Sequence, residues 1–86
     1  MEQIKVTEAI NEGLNIFKDV VIENQFLSDL VENFEIFKDV YNREHAIGFG
    51  YLLKSVKEIY NPALESDLNV INAMLRVIEN VTEINF

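Results

Sequence analysis

His45 is the only histidine in the chain, and it directly follows Glu44. General acid–base chemistry is therefore the first reaction type to weigh. Neighbouring residues on a helix project about 100° apart, however, so this pair does not converge on one substrate. His45 falls toward the apolar side of its helix, where a lone imidazole serves packing or capping. Metal chemistry fares no better. There is no cysteine, no H-E-x-x-H pair and no D-x-D-x-D-G loop. Carboxylates recur at helical spacing as Glu8/Glu12 and Glu32/Glu35. A di-iron bundle needs such carboxylates on inward faces, with a glutamate three residues before each histidine. Here they fall on outward arcs, and Asn42 occupies that position relative to His45. Gly48-Phe49-Gly50 is the only Gly-x-Gly; it follows no strand, lacks a third glycine and has no basic residue to meet a phosphate. Ser28 and Ser55 lie in no nucleophile-elbow context. The expectation is a protein that is not an enzyme, with no catalytic, cofactor-binding or metal-binding residues.

The elements that carry these residues are helical. Glycine and proline are scarce, at three and one, and a 3.6-residue apolar period fits almost everywhere. The spacing predicts a first helix over 7–23, capped at Thr7, with Val6, Ile10, Gly13, Leu14, Phe17, Val20 and Val21 on one face. A second, over 25–41, turns Phe26, Leu27, Leu30, Phe34, Phe37 and Tyr41 inward. The third is placed over 43–60 with Asn42 as its cap and Phe49, Leu52, Leu53, Val56, Ile59 and Tyr60 inside. The alternative continues the second helix to Ala46 and makes Ile47–Gly50 a loop. Asn61-Pro62 then opens a fourth helix over 62–82. The fold expected is all-α, one domain built as a small antiparallel four-helix bundle.

Ile16-Phe17-Lys18-Asp19-Val20 returns letter for letter as Ile36-Phe37-Lys38-Asp39-Val40. Apolar-apolar-basic-any-apolar also occurs at Leu52–Val56 and Met74–Ile78, which is what amphipathic helices with a Lys or Arg stem along the core edge produce. The two identical copies cannot lie on one rod. Extending the first helix would rotate the apolar face by roughly 140° before the second begins. The chain must turn near Asn24, a residue that tolerates the left-handed conformation. Within each copy the phenylalanine faces in, while Ile16 and Ile36 fall roughly 100° or more away. Each isoleucine flanks an acidic stripe, of which Glu12 and Asp19, and Glu32 and Asp39, are members. These six residues are the first expected recognition patch.

The fourth helix supplies the second. Its polar residues occupy only roughly 100° of the wheel, and the apolar set covers more than half. Leu68, Ile71, Leu75 and Ile78 take one side; Val70, Ala73, Met74, Val77 and Val81 take the other. Either this helix is central and flanked by neighbours, or Val70, Ala73, Val77 and Val81 face a second chain, as in a homodimer through the C-terminal helix.

With 86 residues and 49 % of them apolar, the chain suits a small globular domain. Its net charge of −8 disfavours direct binding to nucleic acid or an anionic membrane and favours a basic protein partner. No apolar run is long enough to span a bilayer and no secretory signal opens the chain. Absence of cysteine suits the reducing cytoplasm. Frequent isoleucine and asparagine point to AT-rich coding, as in a low-GC bacterium or its phage. The expected function is that of a small acidic regulatory protein acting by binding another protein, in the manner of an inhibitor, an immunity protein or an antitoxin-like adaptor. A homo-oligomerising structural module is the alternative. A nucleic-acid mimic, offering rows of carboxylates to a basic DNA-binding protein, is a third reading, weakened by Lys54 and Lys57.

Overall fold

The computed structural model describes residues 2–59 and 65–86. Four helices form an all-α bundle: α1 (Gln3–Ile16), α2 (Gln25–Ile36), α3 (Arg43–Ile59) and α4 (Glu65–Thr82). The start signal read at Asn61-Pro62, and the inward placement of Tyr60, lie outside the described residues.

α4 is the central rod. The backbones that approach one another closely are those of α4 with α3, α1 and α2. Val70, Ile71, Met74 and Ile78 are fully buried, and Ala73, Leu75 and Val81 nearly so. Of the two explanations for the excess apolar surface of this helix, the chain's own packing accounts for it. Val70, Ala73 and Val81, expected on a surface for a second chain, are instead covered by this chain's own elements. Val77 is partly buried against the same core and nearly touches Gly13 of α1.

Both copies of the pentapeptide end a helix rather than continue one. In each, the helix stops at the isoleucine, Phe-Lys-Asp forms a turn and the valine leaves it. Shortened bonds of the i to i−3 kind tighten both ends: Phe17 N–H to Leu14 C=O at 3.3 Å, and Phe37 N–H to Phe34 C=O at 3.3 Å. The phenylalanines are buried in the core and the isoleucines stay outside, Ile16 at 71 % and Ile36 at 57 % exposure. This corrects the helix limits expected at 23 and 41. Beyond Val20 the chain is extended: Val20 and Ile22 pack on the core while Val21 and Glu23 face out, a period of two in place of 3.6. A run of β-branched residues favours that conformation. Asn24 is also reassigned. It is not a left-handed stop but the N-cap of α2, at φ −75° and ψ 117°, its side-chain oxygen accepting from Leu27 N–H at 3.1 Å. Asn42 caps α3 likewise, accepting from His45 N–H at 3.0 Å. Gly48 and Gly50 therefore lie within α3, and the alternative with a loop at Ile47–Gly50 is excluded.

The turn after α2 is held by distant residues. Gln3 donates through its side-chain amide to Phe37 C=O at 2.9 Å and Lys38 C=O at 3.0 Å, and accepts from Tyr41 N–H at 2.7 Å. Thr7, expected as a cap, sits inside α1 and donates to Lys38 C=O at 2.6 Å. The unpaired carbonyls at the end of one helix are thus satisfied by the first turns of another. Next along the chain, the Tyr41 hydroxyl donates to Val81 C=O at 3.1 Å, and Arg43 donates to Thr82 C=O at 2.9 Å from one terminal nitrogen. The segment between α2 and α3 therefore joins the start of α1 to the end of α4. Past α4, Glu83 takes a positive φ of 61°, and the chain folds back so that the Phe86 ring meets Tyr51 edge-on at 5.0 Å.

Two predictions follow from this packing. A Cβ at Gly13 would come within 2.7 Å of Val77 Cγ2, and one at Gly50 would overlap the Phe86 ring, whereas one at Gly48 meets nothing. Denaturant titration should show Gly13→Ala and Gly50→Ala destabilised by about 1–3 kcal/mol, and Gly48→Ala stabilised by about 0.5–1 kcal/mol. Second, burial raises the Tyr41 pKa above 10.0; nearby Arg43 opposes the shift and Glu83 adds to it. The folded state holds that proton more tightly than the unfolded chain, so stability falls as pH rises through and above 10.0. Alkaline unfolding curves of Tyr41→Phe should lack this component.

Candidate functional site

α2 and α3 both direct buried residues at α4 and meet each other through aromatic rings beneath the surface. A groove runs between them. Phe34 stacks on Phe49 at 6.4 Å, and Phe37 meets Phe49 edge-on at 5.9 Å, forming the floor at one end. One hollow, of about 350 Å³, is lined by Asn33, Ile36, Phe37, His45, Gly48, Phe49 and Leu52. A second, of about 270 Å³, is lined by Phe26, Leu52, Ser55, Val56 and Ile59. Leu52 belongs to both, so the two are parts of one trough. Among the described residues no Asp, Glu, Lys or Arg contributes to its lining.

The trough is apolar because the apolar arcs of α2 and α3 are wider than α4 can cover. Leu52 and Leu53 show this in two adjacent letters. About 100° apart on the wheel, they cannot face one direction. Leu53 is fully buried, while Leu52 keeps 44 % of its surface in solvent. Phe26 is 51 % exposed and Ile59 83 %. All three were expected inside; each lies at the edge of its helix's apolar arc, which is the signal that identifies them. His45 is exposed at one end of the trough.

Acid borders it. On α2, Asp29 lies three residues after Phe26, and Glu32 follows one turn on; both are exposed. On α3, Glu44, Tyr51 and Glu58 recur every seven residues along the outer rim, all exposed. Lys54 and Lys57 fall on the opposite side of α3, roughly 140° or more from the trough by the same wheel.

The six residues of the first expected recognition patch separate into three groups. Ile36, Glu32 and Asp39 come together around a shallow hollow with Glu35 and Lys38, and Ile36 also lines the trough. Ile16 lies elsewhere. With Phe17, Val20, Ser66, Asn69, Asn72, Ala73 and Arg76 it lines a cleft of about 350 Å³ against α4, in which Asn72 Oδ1 is buried with no hydrogen-bond partner among the described residues. Glu12 and Asp19 are exposed and line neither. Among the described residues no three His, Asp or Glu side chains converge to hold a metal ion, and no helix is long and apolar enough to cross a membrane. No family model, curated protein or solved structure matches this chain.

If the trough serves contact rather than stability, its exposed residues should be free to change. Leu52→Glu should alter unfolding free energy by no more than about 0.5 kcal/mol, while Leu53→Ala, one residue on, should cost about 2–5 kcal/mol. Denaturation curves of the two variants check this.

Proposed function

We propose that this chain is a small acidic, non-enzymatic regulatory protein of the cytoplasm that acts by binding another protein. The α2/α3 trough carries the reading. Phe26, Ile36, Leu52 and Ile59 expose large apolar side chains along one groove of a small molecule. Fully burying an exposed side chain of this size is worth about 1.5–3 kcal/mol, and these four, about half or more exposed, forgo a corresponding share of it. Contiguous exposure of this kind marks contact surfaces. Buried aromatic and aliphatic anchors supply most of the affinity in such contacts, and bordering charge sets encounter rate and partner choice. The net charge of −8 suits a basic partner.

The test is comparative capture from cells of the native source. The wild-type chain should retain a protein that the Phe26→Asp/Leu52→Asp variant releases, with both baits equally helical by circular dichroism. An identical set of retained proteins on both baits would refute the reading. Sedimentation of the wild type alone checks the homo-oligomer alternative, which requires dimers without any other component.

A further inference from the structure

The shape and border of the trough say more about its occupant than that it is a protein. From His45 to Ile59 the α3 wall runs about 21 Å, at 1.5 Å per residue, enough to seat about four helical turns. A further helix packing on α2 and α3 would lie about 8–10 Å from their axes, the ordinary distance between packed helices. Strand addition needs a sheet edge, and there is none among the described residues. The lining offers no charged group to pair with a buried ion, so the inserted face must be apolar. Both walls carry carboxylates at their outer edge, the lysines of α3 turn away, and the one cation beside the α2 wall, Lys38, shares its hollow with Glu32, Glu35 and Asp39.

We propose that the α2/α3 trough seats a basic amphipathic helix of a partner protein. Its apolar stripe would rest on Phe26, Leu52 and Ile59, and its Lys and Arg residues would meet Asp29, Glu32, Glu44 and Glu58. This deepens the regulatory reading above and rests on it. A second copy of this chain is the poorer occupant: a two-fold interface would set the acidic rim against itself, and like charges facing across a contact oppose it. A nucleic acid meets the same repulsion.

The probe is a pair of synthetic helices of about 18 residues, longer than the trough by about a turn. Both carry the same leucine stripe at i, i+4, i+7 and i+11. One has lysine and arginine on its other face, the second glutamate. Titrated into the full chain, the basic helix should bind, shift the backbone amide resonances of Phe26, Leu52 and Ile59, and weaken as salt is raised. The glutamate helix should bind at least about tenfold more weakly. Leu52→Glu, and separately the exposed triple change Asp29→Lys/Glu44→Lys/Glu58→Lys, should each reduce affinity for the basic helix by at least about tenfold without loss of helicity. Equal binding of the two helices, shifts confined to another face, no binding of either, or a wild-type dimer that buries the trough would each overturn the proposal. The two levels fail separately. If capture depends on the trough but the basic helix neither binds nor competes, the regulatory reading stands and the basic helix is wrong. If capture is indifferent to the trough, both fall.

Discussion

The rest of the molecule depends on how α4 is covered. A helix that is apolar over more than half its circumference cannot sit at the edge of a bundle without leaving much of that surface in water. Each buried Val, Leu, Ile or Met contributes about 1.5–3 kcal/mol relative to exposure. Val70, Ile71, Met74, Leu75, Ile78 and Val81 are all buried, so that term dominates the placement of every neighbour. α3, α1 and α2 pack around this one rod. One consequence is structural: a central helix, not a two-chain seam, absorbs the surplus. The other concerns function. α2 and α3 meet each other only through rings at the base, Phe34 and Phe37 on Phe49, and above these an open trough lies between them.

The repeated pentapeptide has a role that fits this constraint. A short chain must stop its helices and turn back if three of them are to reach one central rod. Phe17 and Phe37 are pulled into the core at the ends of α1 and α2, and the last turn tightens around each. Short linkers then lead to Asn24 and Asn42, whose side chains start the next helices. The second copy is further held by Gln3 and Thr7, and the linker after it reaches the end of α4 through Tyr41 and Arg43. Four helix ends meet around a few polar side chains. That network satisfies carbonyls that would otherwise compete for water, and it orients α2 against α3 where the trough opens.

The trough combines two properties. Its lining is free of charged groups, while its border carries acid on both sides. An apolar floor supplies affinity without selecting a partner; a border in which carboxylates outnumber the single Lys38 selects. Ile36, singled out with Glu32 and Asp39 by the repeat, lies where the apolar and acidic surfaces join.

Residue order alone determined that the chain is helical, that Phe17 and Phe37 point inward while Ile16 and Ile36 do not, and that α4 has more apolar surface than one neighbour can hide; it left two starts for α3, of which the structure takes the one at Asn42. What it determined follows from local periodicity and capping, which depend on residues a few positions apart. Tertiary structure decided the remainder. α1 and α2 end several residues early because the core captures an aromatic ring and because carbonyls at 37 and 38 find donors more than thirty positions away, at Gln3 and Thr7. Phe26, Leu52 and Ile59 stay outside, and Val70, Ala73 and Val81 go inside, because a wheel fixes direction about a helix's own axis but not how many neighbours surround it. Only the arrangement of all four rods settles that number, and with it which apolar residues remain for a partner.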